Sequence, residues 1–201
     1  MSGIIVFGYP GVGKSAIGGW NNCVDLESSN FSKGWTGNVV YALKEPIIFA
    51  ASCCGSLEDE IQVLKVPDWC ARYIDVGIDL AKQDYTVLMS THKDVVDLLK
   101  AYMKVPSYES EKFPPAVIFC PDLSIKDAWI DRLQRRYDIT GSPKDFRAID
   151  RAKNYFEQDI KDLEDSGLNV YHPLSMNYDL KTYISHIRDI VQNVKERNGG
   201  A

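Results

Sequence analysis

Glycines at 8, 11 and 13 followed by Lys14 and Ser15, in the stretch GYPGVGKSA, combine residue types and a spacing suited to holding phosphate. Glycine adopts the positive φ angles that turn successive backbone N–H groups toward one point. The pattern Gly8-x-x-x-x-Gly13-Lys14-Ser15 follows the apolar run Ile4 to Phe7 and opens a helical stretch, so a helix N-terminus adds its partial positive charge to the same place. The backbone of Gly8, Gly11, Val12, Gly13, Lys14, Ser15 and Ala16 is expected to cradle the phosphates of a nucleotide. Lys14 should reach the β- and γ-phosphates and the Ser15 hydroxyl should ligate Mg²⁺, which makes ATP and Mg²⁺ the expected cofactors.

A second group of candidates lies in CVDLESSNF. Asp25 falls at the carboxyl end of a predicted strand, the side on which open α/β sheets bind ligands. Glu27, two residues on, points the same way in extended chain. A carboxylate beside Mg·ATP can ligate the metal or its waters, or accept a proton from an attacking hydroxyl; an ionised phosphate acceptor requires no base. The alternative is a loop cap at Asp25 and a solvated Glu27. Ser28 is a candidate substrate contact in the turn that follows.

Arginines form the third group. Between Lys126 and Lys153, eight Lys and Arg against five Asp leave a local excess of three positive charges in a chain of net charge −5. Arg132 and Arg136 stand four residues apart on one helical face, with Arg135 adjacent, off the stripe of Trp129 and Leu133. Arginine clamps phosphate oxygens bidentately and neutralises a transferring phosphoryl group. The competing reading is a solvated face paired with Asp131, Asp138 and Asp150. His92, at the end of a predicted strand, is placed on the ligand side or caps the next helix. Tyr73, Tyr155 and Trp69 read as core or edge residues, the alternative being that Trp69 and Arg72 stack on and hold a base.

The elements that must position these groups alternate. Apolar runs at Ile4 to Phe7, Cys23 to Leu26, Tyr85 to Ser90, Ala116 to Cys120 and Leu168 to Tyr171 read as buried parallel strands. Helices are predicted at Lys14 to Asn21, Asp68 to Gln83 and Lys93 to Lys104. Two more follow Ile125, Trp129, Leu133, Tyr137 and then Ile149, Ala152, Phe156, Ile160, Leu163. A last helix, Leu180 to Arg197, presents Tyr183, Ile187, Ile190, Val191 and Val194 on one side. The pattern implies an α/β sheet with right-handed crossovers. Between Asn30 and Val66 a helix near Val39 to Leu43 is expected, and Ile47 to Ala51 reads as strand or helix.

With 201 residues, 45% hydrophobic and 25% charged, the chain fits one globular domain. No run approaches the length of a membrane span, no signal peptide is evident, and a cytoplasmic location is expected. A pI near 5.2 argues against broad nucleic-acid binding. Cys23, Cys53, Cys54, Cys70 and Cys120 are odd in number and lack CxxC spacing, so reduced thiols are expected.

On these residues the chain resembles the small P-loop kinases, that is, nucleoside monophosphate kinases with shikimate and gluconate kinases as relatives. It looks most like the compact nucleotide-kinase-like proteins of bacteriophages and bacteria. The order is the same: strand, P-loop, short helix, a second strand ending in Asp25-x-Glu27 like their Asp-x-Asp, an acceptor-binding excursion, and an arginine-bearing helix. The resemblance implies a three-layer P-loop NTPase fold with a five-stranded parallel sheet ordered 2-3-1-4-5. It further implies an acceptor excursion over 30–72 and a helical lid over 124–153 whose arginines swing over the triphosphate. Lys14, Asp25, Arg132 and Arg136 are then the expected catalytic residues and Ser15 and Asp25 the metal ligands. Glu27, Ser28, Arg72 and His92 are the expected acceptor contacts. The third predicted strand ends in Met-Ser-Thr-His, without the acidic sequence many such kinases carry there, which leaves Asp25 more of the Mg²⁺ role. The expected activity is γ-phosphoryl transfer from ATP to a small acceptor, a nucleoside monophosphate foremost. The alternatives are an ATPase or nucleotide-gated binding protein acting on a partner, and a nucleotide-binding module without turnover.

Overall fold

The computed structural model describes residues 3–32, 68–104 and 113–199. Strand β1 (Ile4–Gly8) is apolar and buried along its whole length, as a parallel strand covered on both faces must be. On one side it pairs in parallel with β3 (Thr86–Ser90), Gly8 opposite Ser90. On the other it pairs with β4 (Ala116–Phe119), Gly8 opposite Phe119. β2 (Cys23–Asp25) adds beyond β3 and β5 (Asn169–Tyr171) beyond β4, so the order is 2-3-1-4-5, as the resemblance implied.

The helices are α1 (Lys14–Ile17), α2 (Ser29–Ser32), α3 (Trp69–Lys82), α4 (Lys93–Met103), α5 (Lys126–Thr140), α6 (Pro143–Glu164) and α7 (Leu180–Gly199). They cover both faces of the sheet and complete the three-layer P-loop fold. The chain leaves β1 toward β3 in one direction and reaches β4 in the other, so the carboxyl end of β1 is the switch point where such sheets bind ligands.

Two local differences from the sequence reading fall in α1 and α7. Helix α1 stops at Ile17 rather than Asn21, because Gly18 leaves the helix at φ −55, ψ 130 and Gly19, Asn21 and Asn22 take positive φ. Helix α6 runs unbroken to Glu164, as the recurrence of Ile149, Ala152, Phe156, Ile160 and Leu163 predicts, and all five are buried against the core. Among the described side chains of α7, Leu180, Ile184 and Ile187 are buried and Ile190 is exposed, while Val194 lies outside them. The expected helix near Val39 to Leu43, the run Ile47 to Ala51, and Cys53 and Cys54 lie outside the described residues. Cys23 and Cys120 are buried, unoxidised thiols. Among the described residues no helix is long and apolar enough to cross a membrane.

Candidate functional site

The loop between β1 and α1 has the geometry that its composition demands. Gly11 and Gly13 sit at φ 92 and 93, a region that other residues rarely adopt. Gly13 is the N-cap of α1. Two aromatic donors hold the outside of the loop: the Trp129 indole Nε1 donates to the Pro10 carbonyl at 3.0 Å, and the Tyr178 hydroxyl to the Val12 carbonyl at 3.0 Å. Those bonds turn the Pro10 and Val12 carbonyls away from the cradle, and the Val12 amide donates to the Tyr9 carbonyl at 3.2 Å, closing the turn of the loop.

Lys14 is folded back over the loop, its ammonium donating to the Gly8 carbonyl at 2.8 Å. Although part of the side chain is accessible, the ammonium itself is desolvated. That burial lowers its pKa to about 8, against the raising effect of Asp25 and with Lys144 and Arg136 adding to the fall. The Ser15 hydroxyl donates to Asp25 Oδ2 at 2.9 Å across the gap from α1 to the end of β2. Burial raises the Asp25 pKa, partly offset by Lys14 and Ser15. Hydroxyl and carboxylate together make a hard-oxygen donor pair suited to Mg²⁺, which keeps several waters and takes few protein ligands. Elsewhere, among the described residues, no three His, Cys, Asp or Glu side chains gather as a metal cage.

Beside this pair the β2–α2 turn brings Glu27 and Ser28 into the same crevice. Burial alone would raise the Glu27 carboxyl, but its hydrogen bond and ion pair with Lys144 of α6 hold it below the usual range. Ser28 is buried and its hydroxyl lies 2.9 Å from His92 Nε2. Burial, then the charge of Lys14, lowers the His92 pKa, leaving the ring neutral at pH 7. The Trp69 ring meets the His92 ring edge-on at 5.5 Å. Tyr73 sets this wall: fully buried, its hydroxyl donates to the Leu26 carbonyl at 2.8 Å and accepts from the Ser90 amide at 2.9 Å, joining α3 to the ends of β2 and β3.

The arginines of α5 approach from the opposite side. Arg132 lies over the rings of Trp129 and Tyr178, at 5.6 and 5.2 Å from their centroids; those rings stack at 6.2 Å and 10°. Its Nη2 is the nearest atom to where a Cβ on Gly13 would sit, 3.8 Å away. Arg136, one turn on, is engaged by Asp145 of α6.

Helix α5 is itself packed on the loop through its Trp129 and Leu133 stripe, and Arg132 and Arg136 lie off that stripe. Trp129 and Leu133 are buried to within 1% of completely, and a Cβ on Gly11 would stand 2.9 Å from Leu133 Cδ2. The helix is rooted on the loop it covers.

The structure therefore brings together Gly8, Gly11, Val12, Gly13, Lys14, Ser15, Asp25, Glu27, Ser28, His92 and Arg132, with Arg136 close enough to act on the charge of Lys14. Ala16 extends the loop into α1, its amide donating to the Gly13 carbonyl at 3.0 Å. Arg72 is not drawn in. It is exposed on α3, and no side-chain contact joins it to the cluster among the described residues. Sequence reasoning missed Lys144, Asp145, Tyr73 and Tyr178. The basic excess around 126–153 counted Lys144, and nothing local marked Tyr178.

Fold and loop define the class: a P-loop α/β fold with its glycine loop at the sheet's switch point. The chain is similar to the 1.7 Å crystal structure of shikimate kinase from Bacteroides thetaiotaomicron, with a TM-score of 0.49 and 11% identity, covering 95% of this chain and 98% of that one. No protein-family model matches the sequence. No curated protein matches it either.

Proposed function

We propose that the chain is an ATP-dependent phosphotransferase that moves the γ-phosphoryl group to a small acceptor, and that the acceptor is a nucleoside monophosphate. The observation that carries this reading is the convergence, on one phosphate cradle, of the Ser15–Asp25 pair at 2.9 Å, the Lys14 ammonium and Arg132 of α5. Phosphoryl transfer needs positioning and charge neutralisation more than covalent chemistry from the protein, and these groups supply both.

In the reaction an acceptor oxygen forms a bond to the γ-phosphorus while the bond from that phosphorus to the β–γ bridging oxygen breaks. Its electron pair leaves with ADP. The loop amides hold the β-phosphate, and Lys14 leaves the Gly8 carbonyl to span the β- and γ-oxygens. Ser15 and Asp25 would hold Mg²⁺, which when bound neutralises phosphate charge. Arg132 and Arg136 stabilise the equatorial oxygens of the transferring group. Because an ionised phosphate acceptor needs no base, Glu27 acts through its pair with Lys144 as a support of the crevice rather than as a proton acceptor. Ser28, His92 and Trp69 form the acceptor wall, with Arg72 at its exposed margin.

On this reading the chain is a single kinase-like domain with an acceptor excursion over 30–72 and a lid region over 124–153. It works in the cytoplasm with ATP and Mg²⁺, in the manner of the compact nucleotide-kinase-like proteins of phages and bacteria. ADP release from Mg·ATP, with and without a panel of nucleoside monophosphates, shikimate and sugars, tests it. Release that depends on a monophosphate is expected. Release of equal rate without any acceptor overturns the transferase in favour of an ATPase, and dependence on shikimate or a sugar overturns the nucleotide acceptor.

A further inference from the structure

Asp145 is the one carboxylate among the described residues that is buried almost completely, 2% exposed. A buried carboxylate costs several kcal/mol in lost hydration unless charged and hydrogen-bonding partners compensate it. Here the compensation is specific. Its Oδ2 accepts from Arg136 Nε at 3.1 Å and from the Thr140 hydroxyl at 2.8 Å, and its Oδ1 lies 2.8 Å from Arg136 Nη2. It also sits in the first turn of α6, behind the N-cap Ser142, where the helix terminus favours negative charge.

The other end of this pair does not look like a surface ion pair. The Arg136 side chain is 46% exposed, so one edge of the guanidinium is held and the rest remains available. Its charge falls on Lys14. Arg135, between the two candidate arginines, is exposed and has no side-chain partner among the described residues. Arg132, against the loop, rests on a ring platform, whereas Arg136, one turn further along α5, is held by a two-point carboxylate. The residue before Asp145 is Lys144, which grips Glu27 at the acceptor edge, so the first turn of α6 is fixed against both sides of the crevice.

We infer that Asp145 is the positioning residue of Arg136, holding its guanidinium edge-on so that the free N–H groups face the transferring phosphoryl group. The inference rests on the phosphotransferase reading. Asp145 touches neither nucleotide nor acceptor. Its effect belongs to the transition state, because a guanidinium already aimed there loses no orientational freedom as charge moves onto the γ-oxygens. Lysine at 136 could not substitute, since an ammonium offers a point charge and no planar fork.

The test compares binding of Mg·ADP with and without aluminium fluoride, the planar mimic of a transferring phosphoryl group, by calorimetry. In the wild type, aluminium fluoride tightens binding. Asp145→Asn should lose about 100-fold of that gain, the scale of a 1 Å misplacement, with Mg·ADP affinity unchanged. Arg136→Ala should lose as much, the double variant no more than Arg136→Ala alone, and Arg135→Ala nothing. Thr140→Val lowers the melting temperature and leaves the aluminium fluoride gain intact, which separates stability from positioning. Arg136→Lys gives an answer that does not depend on Asp145→Asn folding: it should lose the gain as Arg136→Ala does. A full gain in Arg136→Lys, or an Asp145→Asn loss that persists undiminished in the Arg136→Ala background, overturns the inference while leaving the phosphotransferase reading in place. A wild type that gains nothing from aluminium fluoride overturns that reading, and this inference falls with it.

Discussion

Asp25 stands where two demands meet: it accepts from the Ser15 hydroxyl and it faces the buried ammonium of Lys14. Removing its charge while keeping its shape should therefore disturb the step in which charge moves far more than the affinity for nucleotide. Asp25→Asn is expected to lower kcat by about 100-fold or more, the scale of one lost transition-state contact, with the ATP dissociation constant little changed; turnover and ATP titration in the presence of Mg²⁺ check it. His92 behaves differently. Burial holds its folded-state pKa below the unfolded 6.5. As pH falls through that unfolded value the unfolded chain takes up a proton that the folded chain does not, so His92 lowers stability progressively between there and its depressed folded value. The melting temperature of His92→Gln should fall less steeply from pH 7 to pH 5 than that of the wild type. At this scale the phosphate loop was legible because its chemistry lies within nine consecutive residues, 8–16. Tyr178 and Trp129 were not legible as loop supports because their hydrogen-bond acceptors lie 166 and 119 residues away in the chain. Asp145 and Lys144 carried no sign of their roles either, since their partners are set by how α6 returns along α5.

Among the elements, α5 carries the most consequence for its size. The four-residue recurrence of Ile125, Trp129, Leu133 and Tyr137 was sufficient to place the helix, and the buried stripe follows it. What that stripe packs on was not readable, because only the sheet order brings α5 against the β1–α1 loop. The result is a helix fastened by a fully buried indole and its bond to Pro10. Trp129→Ala should cost about 3–5 kcal/mol of folding stability by chemical denaturation, the usual range for a deleted core aromatic, and should also weaken nucleotide binding by releasing the loop carbonyl. Ile139→Ala, at an 86% exposed position of the same helix, should do neither. Helix ends were read less well than helix faces: α1 is cut short by Gly18, a residue whose effect depends on the turn that follows it.

Across the whole molecule, the two halves of the sheet meet at β1, and the site is assembled from what hangs over that junction: the loop, the end of β2, the end of β3, and the α5–α6 pair. Alternation of strands and helices was enough to predict the layers, since a parallel sheet requires crossovers and apolar strands. The acceptor was not predictable in the same way, because the proposed acceptor wall draws on α3 and on residues after β2 and β3 whose proximity only the folded chain creates, and because 33–67 lies outside the described residues. The account's central claim is that the γ-phosphoryl group of ATP ends on a small acceptor through the chemistry of this cradle. Phosphorus NMR of Mg·ATP incubated with the protein and a nucleoside monophosphate reads its destination directly. The account predicts loss of the γ resonance matched by a new diphosphate on the acceptor, slowed by at least ~100-fold in Lys14→Ala without a lower melting temperature. Phosphorus appearing only as inorganic phosphate, or transfer undiminished in Lys14→Ala, would contradict it.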